Sequence, residues 1–194
     1  MKNLLHTDGE VYYYGVVWDE DTAQRYFDIL LKEIEWKQDV VKLYGKEWVT
    51  QRKTAWYGDN GIAYTYGKVN RVALEWTHTL LRLKEATEKI TGSSYNSCLL
   101  NLYHHGNEGM GWHSDDEPEM KANASIASLS LGAARRFDFR HRITGETISM
   151  MLEQGSLLEM RGSTQRYWKH QIPKTAKVLD PRINLTFRTV VPVK

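Results

Sequence analysis

Hydrophobic and polar positions change period along this chain. From Asp19 onward, Ala23, Tyr26, Phe27, Leu30, Leu31 and Ile34 recur at i, i+3, i+4 and i+7, the stripe of an amphipathic helix, with Asp19 or Asp21 placed to cap it. A second helix is expected between Val72 and Ile90, with Asn70 before it and Thr91-Gly92 as its stop. The stretch between them, KLYGKEWVTQRKTAWYGDNGIAYTYG, is rich in glycine and aromatics and carries turn signals at Tyr44-Gly45 and Asp59-Asn60-Gly61, so it reads as hairpins. After Gly92 the period shortens. The runs CLLNLY, SIASLSL, RFDFRH, TISMML, GSLLEM and RINLTFR follow one another across turn or polar segments, as in an all-β sandwich or barrel. Helices and hairpins in the first half are therefore expected to cover a β-rich second half, without internal repeat, low-complexity tract or linker.

Composition narrows the class without naming a function. The 194 residues suit one domain, and 41% hydrophobic with 26% charged is an ordinary globular balance that excludes disordered, collagen-like and disulfide-scaffold readings. The single cysteine, Cys98, makes no internal disulfide, and no run approaches a membrane span or a secretory signal, so a cytoplasmic location, or a nuclear one in a eukaryote, is expected. A net charge of +2 is not the footprint of a tight nonspecific nucleic-acid binder. In the one dense basic stretch, RRFDFRHR, Arg135, Arg136, Arg140 and Arg142 face only Asp138, which leaves a solvated strand edge and a phosphate contact both open.

The chemistry concentrates in NLYHHGNEGMGWHSDDE and the segments after it. His113 and Asp115 sit two apart, so on extended backbone both point to one face and can grip one ion. His170 would complete two imidazoles and one carboxylate with open positions opposite, the arrangement of non-haem Fe(II) oxygenases rather than of closed zinc sites. In RINLTFR, Arg182, Asn184, Thr186 and Arg188 alternate with Ile183, Leu185 and Phe187. The polar face is either a solvent-facing edge or, turned inward, a receiver for an anion; two arginines would suit a dicarboxylate. Asn101 and Tyr103 share a strand face and offer an amide and a phenol to orient such a ligand.

His113-Ser114-Asp115, His170 and Arg182-x-Asn184-x-Thr186-Phe187-Arg188 together resemble the AlkB family of Fe(II)- and 2-oxoglutarate-dependent dioxygenases, which repair alkylated nucleobases. The likeness runs from about Leu43 to Arg188 and is strongest to homologues acting on methylated DNA; Asn101-x-Tyr103, Asp115-Asp116-Glu117 and TISMMLEQGSLLEM match in order. It implies an α+β fold: a double-stranded β-helix (jelly-roll) core from about residue 93 to 194, with N-terminal helices and a hairpin nucleotide-recognition lid over about 1–92, all one domain. It implies that His113, Asp115 and His170 hold Fe(II), that Arg182 and Tyr103 receive the distal carboxylate of 2-oxoglutarate, and that Asn101, Asn184 and Arg188 support it. With O2, the expected reaction is oxidative demethylation of 1-methyladenine and 3-methylcytosine in DNA, releasing formaldehyde, succinate and CO2.

Substrate contacts implied by the same resemblance lie mostly in the first half. Tyr64 and Tyr66 match base-pocket positions, with His113 flanking the base and Asp116 and Glu117 near its exocyclic amine. Tyr44, in Leu43-Tyr44-Gly45, matches a hairpin tip that wedges into the base stack, and Arg52 matches a DNA contact, although pairing with Asp59 is equally open. QIPKTAKV, with only Lys174 and Lys177, is less basic than its counterpart in the duplex-acting homologue. RNA or protein substrates, or a noncatalytic module that binds damaged bases, are the alternatives. His104, His105, His141 and Trp112 read as structural positions, and a monomer without a membrane partner is expected.

Overall fold

The computed structural model describes residues 1–43, 46–66 and 69–191, apart from the side chains of 39–43, 46–48, 63–66 and 69–71. β1 (Glu10–Val16) leads into α1 (Glu20–Glu33), followed by β2 (Lys37–Leu43), β3 (Lys46–Gly58), β4 (Ala63–Tyr66), β5 (Val69–Val72) and β6 (Leu74–Glu75). α2 (His78–Thr91) then precedes β7 (Ser97–Tyr103), β8 (Met110–His113), β9 (Ile126–Gly132), β10 (Arg135–His141) and β11 (Thr147–Leu152). The chain ends with β12 (Ser156–Arg161), α3 (Thr164–Tyr167), β13 (Trp168–Ile172) and β14 (Arg182–Arg188).

Two antiparallel sheets form the jelly roll. The major sheet runs β1-β12-β9-β14-β7-β3-β2, with β6 pairing parallel to β3; the minor sheet runs β11-β10-β13-β8, and β4 pairs with β5 as a separate hairpin. Two apolar clusters hold these layers. Ala23, Phe27 and Leu30 of α1 and Leu80 and Leu83 of α2 pack on Leu100, Leu129, Ile183, Leu185 and Phe187, so the helices back one face of the major sheet. Val11, Ile126 and Leu158 from the major sheet meet Phe137, Phe139, Trp168 and Ile172 from the minor sheet, closing the space between the sheets.

The helix ends follow their capping chemistry. Asp19, not Asp21, caps α1, accepting the Thr22 N–H at 2.8 Å. α2 starts later than the Val72 to Ile90 pattern suggests: Leu74 and Glu75 are extended against Tyr57 and Gly58, and the Thr77 hydroxyl receives the Leu80 N–H. Ladder hydrogen bonds and a good cap at Thr77 outweigh the apolar periodicity before it. The expected stop holds, with Gly92 left-handed at φ 69. No helix of the described residues is long and apolar enough to cross a membrane.

Two sequence alternatives are settled by strand order. β10 lies between β11 and β13, and β14 lies between β9 and β7, so neither is the solvated edge considered above. In β10 the arginines diverge: Arg135 is buried, Arg136 pairs with Asp138 at 2.7 Å, and Arg140 stacks over Trp112 at 4.3 Å.

Candidate active site

The two histidines meet because β8 and β13 pair. His170 stands directly opposite His113 in the ladder, and their rings lie 4.2 Å apart between centroids. Asp115 falls two residues beyond the end of β8, so no ladder bond holds it. The Gln165 side chain does so instead, its Oε1 accepting the Asp115 N–H at 2.9 Å, while Ser114 Oγ donates to the Trp168 carbonyl at 3.1 Å. One ligand atom from each of His113, Asp115 and His170 lies within 4.8 Å of the others.

The protonation of these groups suits a divalent ion. His113 Nδ1 lies 2.8 Å from the Gly111 carbonyl, which can only accept, so the proton is assigned to Nδ1 and the Nε2 lone pair is left for a metal. Burial lowers the His170 pKa to about 3, keeping its ring neutral, and it stacks on Phe137 at 5.4 Å. Burial alone would raise the Asp115 carboxyl; the Arg188 guanidinium, with smaller contributions from His170 and His113, outweighs it and holds the group below the usual carboxylate range. Arg188 Nη2 stands 3.5 Å from Asp115 Oδ1. An ionised carboxylate beside a neutral His170 and the Nε2 atom of His113 fits Fe(II).

The polar row of β14 aligns with that of β7. Arg182 pairs with Tyr103 and Asn184 with Asn101, so these four expected residues share one surface. Asn184 Nδ2 donates to Ser128 Oγ at 3.0 Å and to the Leu129 carbonyl at 3.2 Å. Arg182 is 1% exposed, and its Nη2 donates to Ser130 Oγ at 2.8 Å. Its Nε and Nη1 have no partner among the described residues, and burial lowers its pKa to about 10. Buried guanidinium donors left open in this way fit a carboxylate of a bound ligand. A cavity of about 380 Å³ runs from His113, Asp115 and His170 to Tyr103, whose ring centroid lies 5.6 Å from Arg182 Cζ. Arg182 itself lies outside the cavity wall and reaches it at Tyr103.

The nucleotide-side candidates are distributed less evenly. Arg52 lines the same cavity and donates from Nε to Asn101 Oδ1 at 3.0 Å; it does not pair with Asp59, which accepts from Trp76 Nε1. Asp116 is exposed and pairs with Arg142 at 3.0 Å, while Glu117 Oε1 lies 3.9 Å from Arg188 Nη1. Both acids line this cavity and a larger one of about 630 Å³. Tyr64 and Tyr66 lie on β4, where only the backbone is described, and Tyr44 lies outside the described residues. His104 pairs with Glu108 at 2.9 Å and buried His141 faces Asp8 at 3.2 Å, away from the metal group.

Several functional neighbours escaped the sequence reading. Ser128 and Ser130 were visible in principle, as alternating hydroxyls inside the otherwise apolar SIASLSL. Gln165 carries no local signal, because its role exists only through the distant Asp115 backbone.

Comparison with known proteins agrees with this geometry. Residues 10–188 match the 2OG-Fe(II) oxygenase superfamily. The mouse DNA oxidative demethylase ALKBH2 is 36% identical over 98% of this chain and 84% of its own length. The bovine alpha-ketoglutarate-dependent dioxygenase alkB homolog 3 is 40% identical over 90% of this chain, which spans 64% of that protein. The solved structure of OsALKBH1 shares the fold, with a TM-score of 0.62 at 14% identity, covering 96% of this chain and 99% of that one.

Proposed function

The chain belongs to the AlkB family within the 2OG-Fe(II) oxygenase superfamily, and from its membership among these iron- and 2-oxoglutarate-dependent oxygenases we propose that it removes N-methyl groups from 1-methyladenine and 3-methylcytosine in DNA. One observation carries the reading: half-buried His113 and buried Asp115 and His170 open onto the same cavity as Asn101, Tyr103 and Asn184. The names of its ALKBH2 relatives, DNA oxidative demethylases at 36% identity, support DNA as the substrate.

His113, Asp115 and His170 would hold Fe(II), which with 2-oxoglutarate and O2 would supply oxidation of the N-methyl carbon, giving formaldehyde, succinate, CO2 and the restored base. The protein's part is orientation and charge. His113 presents Nε2 because its Nδ1–H donates to the Gly111 carbonyl, His170 stays neutral by burial, and Asp115 stays ionised beside Arg188. Arg182, with two open donors, and the Tyr103 phenol receive the distal carboxylate, while Asn101, Asn184 and Arg188 fix the rest of the cosubstrate. Asp116 and Glu117, at the cavity wall, accept from the exocyclic amine of a flipped base, Arg52 on the same wall contacts the DNA, and the resemblance adds Tyr64, Tyr66 and Tyr44 as further substrate contacts.

Mass spectrometry of a 1-methyladenine DNA oligonucleotide, incubated with the protein, Fe(II), 2-oxoglutarate and O2, tests this directly. Loss of one methyl group with the wild type and none with Asp115→Ala is the expected result. Succinate formation with the oligonucleotide unchanged would overturn the DNA assignment.

A further inference from the structure

A second buried arginine shares the Tyr103 ring with Arg182. Arg135, at the start of β10, is 1% exposed, as Arg182 is. Their Cζ atoms lie 5.7 and 5.6 Å from the Tyr103 ring centroid, so two guanidiniums converge on one phenol from different sheets. Neither has a carboxylate partner among the described residues. The hydrogen bonds of Arg135 go from Nη2 to the carbonyls of Gly106 at 3.2 Å, Glu108 at 2.9 Å and Pro173 at 3.0 Å, and its Nε has none. The field of Glu108 reaches Arg135, yet its carboxylate is turned to the His104 ring and backbone N–H.

Two buried like charges without an anion between them are costly, and the cost falls when an anion arrives. Three carbonyls from two loops hold Arg135 where it is. The two loops are tied to each other, the Gly106 N–H donating to the Val178 carbonyl at 2.7 Å and the Thr175 N–H to the Gly106 carbonyl at 2.9 Å. The charge of Arg135 also adds to burial in lowering the Arg182 pKa, placing the two groups within electrostatic reach.

We propose that Arg135 is a specificity-determining positioning residue: acting beside Tyr103 and Arg182, it makes this end of the site select a 2-oxo acid with a distal carboxylate over one without. This rests on the reading that Tyr103 and Arg182 receive that carboxylate.

Isothermal titration of the full chain, loaded with Mn(II) under anaerobic conditions, with 2-oxoglutarate and separately with 2-oxobutyrate tests it without turnover. Arg135→Gln keeps N–H donors for the carbonyls but no charge; it should weaken 2-oxoglutarate about tenfold and leave 2-oxobutyrate unchanged. Arg135→Lys, which keeps the charge, should retain the preference within about threefold. Equal weakening of both acids, or of neither, by Arg135→Gln overturns the proposal. Should Arg135→Gln not fold, the Lys variant decides alone, since loss of the preference despite a retained charge overturns it. An Arg182→Met control separates the two ideas. If Arg182→Met weakens 2-oxoglutarate and Arg135→Gln does not, only Arg135 loses its role; if wild type itself shows no preference for 2-oxoglutarate, the distal-pocket reading fails.

Discussion

The two faces of β14 divide the labour of the molecule. Ile183, Leu185 and Phe187 are 0% exposed against the helices, whereas Arg182, Thr186 and Arg188, nearly as enclosed, and half-buried Asn184 turn toward the space between the sheets. The helix-side residues are buried among apolar groups, and their enclosure contributes directly to stability. The inner residues are buried as polar and charged groups, with Arg182 donors left open. Such burial opposes folding and makes sense as preparation for a ligand. The same strand therefore predicts two kinds of mutant: loss of stability from one face and loss of chemistry from the other.

The sharpest break in this comparison lies at the metal group. Asp115→Ala should lower turnover by about 10³-fold or more while the melting temperature without metal stays near wild type, and the rise in melting temperature on adding Mn(II) should vanish. Activity and a Mn(II)-dependent rise both retained would remove Asp115 from the site. On the opposite face, Phe187→Ala should cost about 3–5 kcal/mol in urea denaturation, with kcat per folded molecule unchanged. A loss of kcat without a stability loss would mean the faces are not independent.

Smaller effects refine the division. Arg182→Ala should raise the KM for 2-oxoglutarate about 100-fold, a little under 3 kcal/mol, with little change in the unfolding midpoint. An unchanged KM would remove Arg182 from the cosubstrate site. Gln165→Leu should weaken Co(II) binding about tenfold and shift its visible absorption, because Asp115 loses the acceptor for its backbone N–H; an unaltered spectrum would make Gln165 incidental. Thr77→Ala, far from either function, should cost about 1 kcal/mol through the lost cap of α2 and leave all kinetic constants alone.

Legibility in the sequence followed the range of each interaction. The stripe of α1 and the alternation of β14 come from local backbone geometry, and both were readable. Asp19 against Asp21 as the cap and Thr77 as the start of α2 depended on exact backbone placement, so the pattern left the first open and set the second too early. The strands β1, β8 and β13 carry short or mixed patterns and had no separate signal. The motif residues His113, Asp115 and His170 were legible as chemistry, while Gln165 and Arg135, whose roles lie in contacts with distant backbone, were not.

By itself, the sequence determined which side chains share a face, which ligand types exist and which family they resemble, because periodicity and residue chemistry are properties of neighbours along the chain. Only the tertiary structure decided that β14 and β10 are interior strands, that His170 stands opposite His113, and that Arg135 and Arg182 converge on Tyr103. The reason is physical: a two-residue repeat fixes how side chains alternate but not which face is covered, and that depends on strand pairing and burial between segments remote in sequence.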